Sequence, residues 1–286
     1  MTNFFRLSSR LPLGVLQAIG ALLGLAVYLL SPTYRARLVA NLRCSGLPVA
    51  LRWRCALQAG SMVGELPWVW FRRLDQVVAR VRCDDLRVLE DAEREGRGVL
   101  FLTPHLGAFE VTARYYAARA PITVLFKPPR QSMLGGLLAA ARNAGAMRSA
   151  PTSLAGVRAL LRALRSGEAV GLLPDQVPSA GDGVWTEFFG AAAYSMTLPQ
   201  RLAVSTGATV VLAVGERLGL GRGWRLHLRR LDGPPSPAAL NRAMEVEILR
   251  LPTQYLWGYN RFKRPAGAPA PGDDGAPATV PSENPR

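Results

Sequence analysis

Residues Gly98–Phe126 read GVLFLTPHLGAFEVTARYYAARAPITVLF. The two ends, GVLFLT and ITVLF, are short apolar runs, and a helix-length segment from about Gly107 to Arg119 separates them. Apolar strand, helix and second apolar strand together predict a βαβ unit, with parallel strands in one sheet and the helix on its face. Strands covered on both faces show unbroken apolar runs, as these two do. The alternation continues C-terminally with helices over about Gln131–Ala144 and Ser153–Arg165 and a strand in EAVGLLP. A long glycine-containing loop, a helix near Leu198–Thr206 and the strand ATVVLAV follow. WRLHLRRL alternates as a half-exposed strand, with Arg225, His227 and Arg229 on one side and Leu226 and Leu228 on the other. His227 is therefore expected to be a solvated strand residue. GLGRG (Gly219–Gly223) stands before a strand and lacks a phosphate-loop lysine, so it predicts a hairpin loop. A last helix is expected over Ala238–Leu251. The fold class is α/β, a mixed central sheet flanked by helices.

N-terminal to this body, Leu11–Leu30 (LPLGVLQAIGALLGLAVYLL) contains no charged residue and one strongly polar side chain, Gln17. As a helix it is long enough to cross a bilayer, although Pro12 and three glycines equally suit a helix lying in the interface. No small-x-small cleavage site follows it, so an anchor is expected rather than a signal peptide. Arg35, Arg37, Arg43, Arg52 and Arg54 outnumber Arg6 and Arg10 on the other flank, which favours a cytoplasmic body. Residues 37–75 read as further helices, in which PWVWFRR (Pro67–Arg73) suits either a membrane interface or a core helix end. Pro265–Arg286 is rich in proline, alanine and glycine and is expected to be disordered. The expected organisation is an anchor over 1–32, one large domain over 33–264 and a tail over 265–286.

Lysine and arginine total 35 against 20 acidic residues, a net charge of +15, and only Lys127 and Lys263 are lysines. Such an excess calls for an anionic partner: nucleic acid, a phosphorylated substrate or an anionic membrane. Nucleic acid fits poorly, because the arginines are spread between apolar helices and no basic patch with stacking aromatics is formed. Three cysteines, Cys44, Cys55 and Cys83, with no CxxC pair, suit a reducing compartment. Together with two histidines they do not supply a zinc site, and no metal is expected.

His105 follows the strand GVLFLT directly, and Glu110 lies five positions on, in the opening turns of the next helix. Reactive groups collect at strand ends in α/β folds. A turn at Leu106-Gly107 lets Glu110 face the imidazole and hold its tautomer, leaving the ring to take a proton from a hydroxyl. The spacing alone fits a structural hydrogen bond equally well. Ser149, Ser153 and Ser195 lack a GxSxG elbow. The aromatics Trp185, Phe188, Phe189 and Tyr194, in the loop Val177–Met196, suit either the roof of an apolar slot or the core.

PHLGAFE resembles the His-x4-Asp/Glu motif of glycerolipid-type acyltransferases, and the wider pattern resembles the bacterial late acyltransferases of lipid A biosynthesis. The supporting segments stand in that family's order: VLFKPPR (Val124–Arg130), ARNAG (Ala141–Gly145), SLAGVRALLRALRSGEAVGLLPDQ (Ser153–Gln176), TEFFGAAAYS (Thr186–Ser195), LAVSTGATVV (Leu202–Val211) and QYLWGYNRFKRP (Gln254–Pro265). The resemblance covers nearly all of the chain except the tail. It implies transfer of a fatty acyl group from an acyl carrier protein or coenzyme A thioester to a hydroxyl of a membrane lipid, such as a phosphorylated lipid A precursor. It also implies that no metal, other cofactor or covalent acyl-enzyme takes part. His105 matches the family's base and Glu110 its acidic partner; Arg142 and Asp175 match further positions of its site, as phosphate or oxyanion clamp and as orienting carboxylate. Lys127 stands where an arginine is common, keeping the charge but losing the planar fork. The resemblance further implies a place at the cytoplasmic side of the inner membrane. Other acceptors, namely a lysophospholipid, an ornithine lipid or a mannosylated phosphoinositide, would use the same base. A non-catalytic basic membrane-binding protein is the reading from a different class.

Overall fold

The computed structural model describes residues 2–126 and 145–273. Its centre is a seven-stranded sheet in the order β1-β9-β8-β2-β5-β3-β4. The strands are β1 (Val81–Cys83), β2 (Val99–Leu102), β3 (Ile122–Phe126), β4 (Met147–Pro151), β5 (Ala169–Leu172), β8 (Thr209–Arg217) and β9 (Trp224–Arg230). Neighbours run parallel except β8 and β9, which form an antiparallel pair, so the sheet is mixed. β2 and β5 lie centrally and every residue of VLFL and AVGL is buried, the reason both are uniformly apolar. β9 alternates buried leucines with more exposed residues, and His227 meets Glu216 at 2.8 Å on its outer side.

Helices cover both faces: α1 (Thr2–Ser8), α2 (Leu13–Leu30), α3 (Pro32–Cys44), α4 (Arg52–Phe71), α5 (Leu74–Val78), α6 (Leu86–Arg94), α7 (Phe109–Ala117), α8 (Leu154–Arg165), α9 (Leu198–Thr206) and α10 (Pro237–Arg250). Ser153 and Ser236 cap α8 and α10 by accepting backbone N–H bonds from Gly156 and Ala239. One core cluster gathers Leu100, Leu102, Val170, Leu172, Leu212 and α10's Met244 and Ile248; a second, on the other sheet face, gathers Phe101, Ala169, Val211 and Ala213 with Leu89 and Tyr116.

Two sequence expectations change and one open alternative is settled. The glycine-containing stretch before α9 is not an irregular loop: β6 (Gly183–Phe188) and β7 (Ala191–Met196) form an antiparallel hairpin. Its turn residues Phe189 and Gly190 both have positive φ, +50° and +71°, as a tight primed turn requires. Trp185, Phe188 and Tyr194 are core residues of that hairpin rather than a roof. The first part of the tail, 265–273, packs back on it: Ala268 is buried and Trp185 Nε1 donates to the Pro269 carbonyl at 2.9 Å. The remaining tail and the helix expected at Gln131–Ala144 lie outside the described residues. Trp68 of PWVWFRR is buried against Trp224.

α2 is the one helix among the described residues long and apolar enough to cross a membrane. It lies directly on α4. Gly20 and Gly24 face Gly60 and Gly64, and a Cβ at Gly60 would stand 2.1 Å from the Gly20 carbonyl oxygen. Backbones come this close only where both helices lack side chains. Gln17 sits in the contact and is fully buried, its amide donating to Glu65 at 2.8 Å and its carbonyl accepting from Gly221 N at 2.7 Å. Glu65 in turn holds Arg217 bidentately, at 2.9 and 2.7 Å, and accepts from Trp224 Nε1. Each partner of this buried ion pair is thus hydrogen-bonded, the condition under which such a pair is tolerated. The outer side of α2 leaves Leu22, Leu23, Leu29 and Leu30 exposed.

Candidate active site

The parallel register of β2 and β5 builds the site. Leu102 stands opposite Leu172, and His105 and Asp175 each lie three residues beyond, so two residues 70 positions apart meet at the C-terminal sheet edge. His105 Nδ1 is 2.7 Å from Asp175 Oδ1, and the His105 backbone N–H donates to Oδ2 at 2.9 Å. Both carboxylate oxygens are thereby committed to one histidine. The Tyr255 side chain lies near the Asp175 carboxylate and feels its charge. Asp175 is almost completely buried, while the imidazole retains 16% exposure, enough for a substrate to reach.

Burial alone would push the Asp175 carboxyl up; the charge and hydrogen bonds of His105, with Arg261 behind, hold it below the usual carboxylate range. Tyr255 is driven the other way, well above an ordinary tyrosine, first by burial and then by the Asp175 charge. It stays neutral. Burial lowers Arg261, but Tyr255 and Asp175 oppose that shift. The guanidinium donates to the Tyr194 carbonyl at 3.0 Å and to Ser195 Oγ at 2.6 Å.

With Nδ1 hydrogen-bonded to a carboxylate, the ring proton belongs on Nδ1 and the lone pair on Nε2. Gln176 Nε2 stands 3.2 Å from that second nitrogen, and a side-chain amide there donates to a lone pair. Gln176 is exposed, so an incoming hydroxyl can take its place. Phe109 packs edge-on against the imidazole at 4.8 Å between centroids.

The loop carrying His105 is held from two sides. Leu256 N donates to the His105 carbonyl at 3.1 Å, and Gly107 N donates to the Gln254 carbonyl at 3.0 Å. Ala108 N reaches the Gly215 carbonyl at the end of β8. Gly107 adopts φ +62°, and a Cβ there would lie 2.1 Å from the Gly215 oxygen, so only glycine fits.

Glu110 stands at the start of the next helix. It lies in the first turn of α7, where its Oε2 accepts from Trp70 Nε1 at 3.3 Å, and it opposes the lowering of buried Arg114 by desolvation. The carboxylate bonded to His105 Nδ1 is that of Asp175. The spacing could not reveal this, because it requires the register of two strands. Lys127 and Arg142 lie outside the described residues. Tyr255, Arg261 and Gln176 are functional candidates that spacing missed, although Tyr255 and Arg261 fall in the quoted segment QYLWGYNRFKRP and Gln176 ends LPDQ. Among the described residues no group of three or more metal-ligating side chains converges.

Residues 55–264 match the family model described as bacterial lipid A biosynthesis acyltransferase. The chain is 28% identical over 218 residues to the lipid A biosynthesis palmitoleoyltransferase of Escherichia coli K12, covering 73% of this chain and 70% of that protein. It is 27% identical over 223 residues to the lipid A biosynthesis lauroyltransferase of the same organism, covering 74% and 71%. A lipid A biosynthesis acyltransferase of Haemophilus influenzae is 27% identical over 183 residues, covering 60% of this chain and 56% of that protein. With the family model spanning well over half of its length, the chain belongs to the bacterial lipid A biosynthesis acyltransferases.

Proposed function

We propose that this protein is an O-acyltransferase of lipid A biosynthesis, with His105 as general base, moving a fatty acyl group from an acyl carrier protein or coenzyme A thioester to a hydroxyl of a lipid A precursor. The observation that carries the reading is the pairing of His105 Nδ1 with Asp175, which leaves Nε2 as the basic atom of a partly exposed ring. Nε2 removes the hydroxyl proton while the oxygen attacks the thioester carbonyl. The tetrahedral intermediate collapses, the carbon–sulfur bond breaks, and the departing thiolate takes the proton from the imidazolium. Ester and free thiol result. Asp175 stabilises the transient imidazolium without itself becoming protonated. Arg142 and Lys127 are assigned to the phosphate of the acceptor or to the oxyanion on motif position. Glu110 is assigned a place beside the base, anchoring the start of α7 against α4.

The net charge of +15 favours both a phosphorylated acceptor and an acidic carrier protein. α2, with its exposed leucines, is assigned to the membrane, and the body to the cytoplasmic side of the inner membrane. The test is mass spectrometry of lipids from cells lacking a late lipid A acyltransferase and expressing either the unaltered protein or His105→Ala at equal abundance. Lipid A gains one acyl group with the unaltered protein and none with the variant. A His105-dependent gain on a different lipid would replace the acceptor, and identical lipid profiles would overturn the catalytic reading.

A further inference from the structure

Between α2 and α4 runs an open cleft of about 910 Å³, at the upper end of the usual size of a small-molecule site. Its lining includes the glycines of the α2–α4 crossing, so part of the cleft wall is bare backbone. Ile19, Leu23 and Val27 of α2 and Val63 of α4 also line it, all of them about half exposed or more. A further part of its lining is Leu256 and Tyr259. Leu256 N is bonded to the His105 carbonyl, and the Tyr259 hydroxyl accepts from Val177 N, two residues beyond Asp175. The cleft therefore shares a wall with the segment that holds the base. Arg10 lines it at the α1–α2 corner and supplies a positive charge.

The geometry points to this cleft as the seat of a fatty acyl chain already carried by the membrane-resident acceptor, an inference that rests on the function proposed above. The place where the cleft opens selects the acceptor rather than the thioester donor. The cleft opens on the two helices whose outer faces carry Leu22, Leu23, Leu30 and Val63, so a lipid tail slides in from the bilayer without crossing water, a route closed to a chain on a soluble carrier. Arg10, on the lining, complements a phosphorylated headgroup. An apolar chain against this lining gains binding energy in proportion to the area it buries, so long tails bind better than short ones.

The test uses the full chain in detergent–lipid micelles, with one thioester donor and two acceptors that share a phosphorylated sugar but carry long or short acyl chains. Val63→Trp and Ala59→Phe both fill the cleft from α4, the first from an exposed position. Each is expected to raise the KM for the long-chain acceptor roughly tenfold, with kcat, donor KM and short-chain acceptor KM changed less than about twofold. An unchanged long-chain KM, or a shift in donor chain preference instead, overturns the proposal. Should the unaltered protein transfer no acyl group, the function is what fails, and the cleft is then read directly. Phosphatidic acid with a mid-chain diazirine, in vesicles, is expected to label the Leu256–Tyr259 peptide, and Val63→Trp to suppress that label. Labelling confined to Leu22 and Leu30 overturns the cleft.

Discussion

Replacing Asp175 by asparagine keeps the size of the side chain and removes its charge, so the imidazolium formed during proton transfer loses its counterion. The kcat of Asp175→Asn is expected to fall by about 10²–10⁴-fold with acceptor KM little changed, checked by steady-state kinetics. The same carboxylate sets a pH dependence of stability. Its pKa is lowered in the folded state, so its stabilisation is complete above the ordinary carboxylate range and is lost as pH falls through the folded value. Thermal unfolding below about pH 4 should therefore be steeper in pH for the unaltered protein than for Asp175→Asn. A parallel pair of curves would show that Asp175 does not carry the effect. Tyr255→Phe removes the buried hydroxyl beside Asp175 and is expected to cost about 1 kcal/mol in urea unfolding. His105 was legible from its place at the end of an apolar run, and Asp175 from motif position, yet their contact was not. It depends on Leu102 pairing with Leu172, and no local pattern states a register between strands 70 residues apart.

Among the elements, α2 and α4 make the sharpest expectation because the usual sign reverses. Glycine to alanine inside a helix ordinarily gains about 1 kcal/mol. Gly60→Ala instead places a methyl group on the Gly20 carbonyl and is expected to destabilise by about 1–3 kcal/mol. Denaturant unfolding of the detergent-solubilised protein checks it, and a neutral or stabilising result would mean that the helices do not meet at these glycines. Strands β2, β3, β5 and β8 and helices α8 to α10 were legible because each combines an apolar period with a cap, a proline or a glycine at its end. β4, MRSAP, was not. It is an edge strand with a charged and a polar side chain, and edges need not be apolar. The hairpin β6–β7 was hidden by its glycines, which in isolation signal a loop, while the alanines of AAAYSM carry little strand propensity.

For the whole molecule, the docking of α2 changes what its removal should do. Composition alone suggests a detachable anchor and a soluble body. The structure instead shows that deleting residues 1–32 strips Gln17 from the Glu65–Arg217 pair and bares the glycine face of α4. The truncated protein is expected to aggregate without detergent, read by size-exclusion chromatography; a monodisperse, fully active body would refute the docking. Gln17 also bears on how the protein is made. Its partner Gly221 leaves the ribosome 204 residues after it, and Arg217 only slightly earlier. Throughout that interval the Gln17 carbonyl lacks its native donor, although Glu65, the acceptor of its amide, is made only 48 residues on, and a bilayer interface can solvate both the helix's leucines and that one polar group. On the membrane placement proposed above, biosynthesis would run outward from the lipid: the first long helix parks at the surface, and the β8–β9 turn, made late, closes onto it.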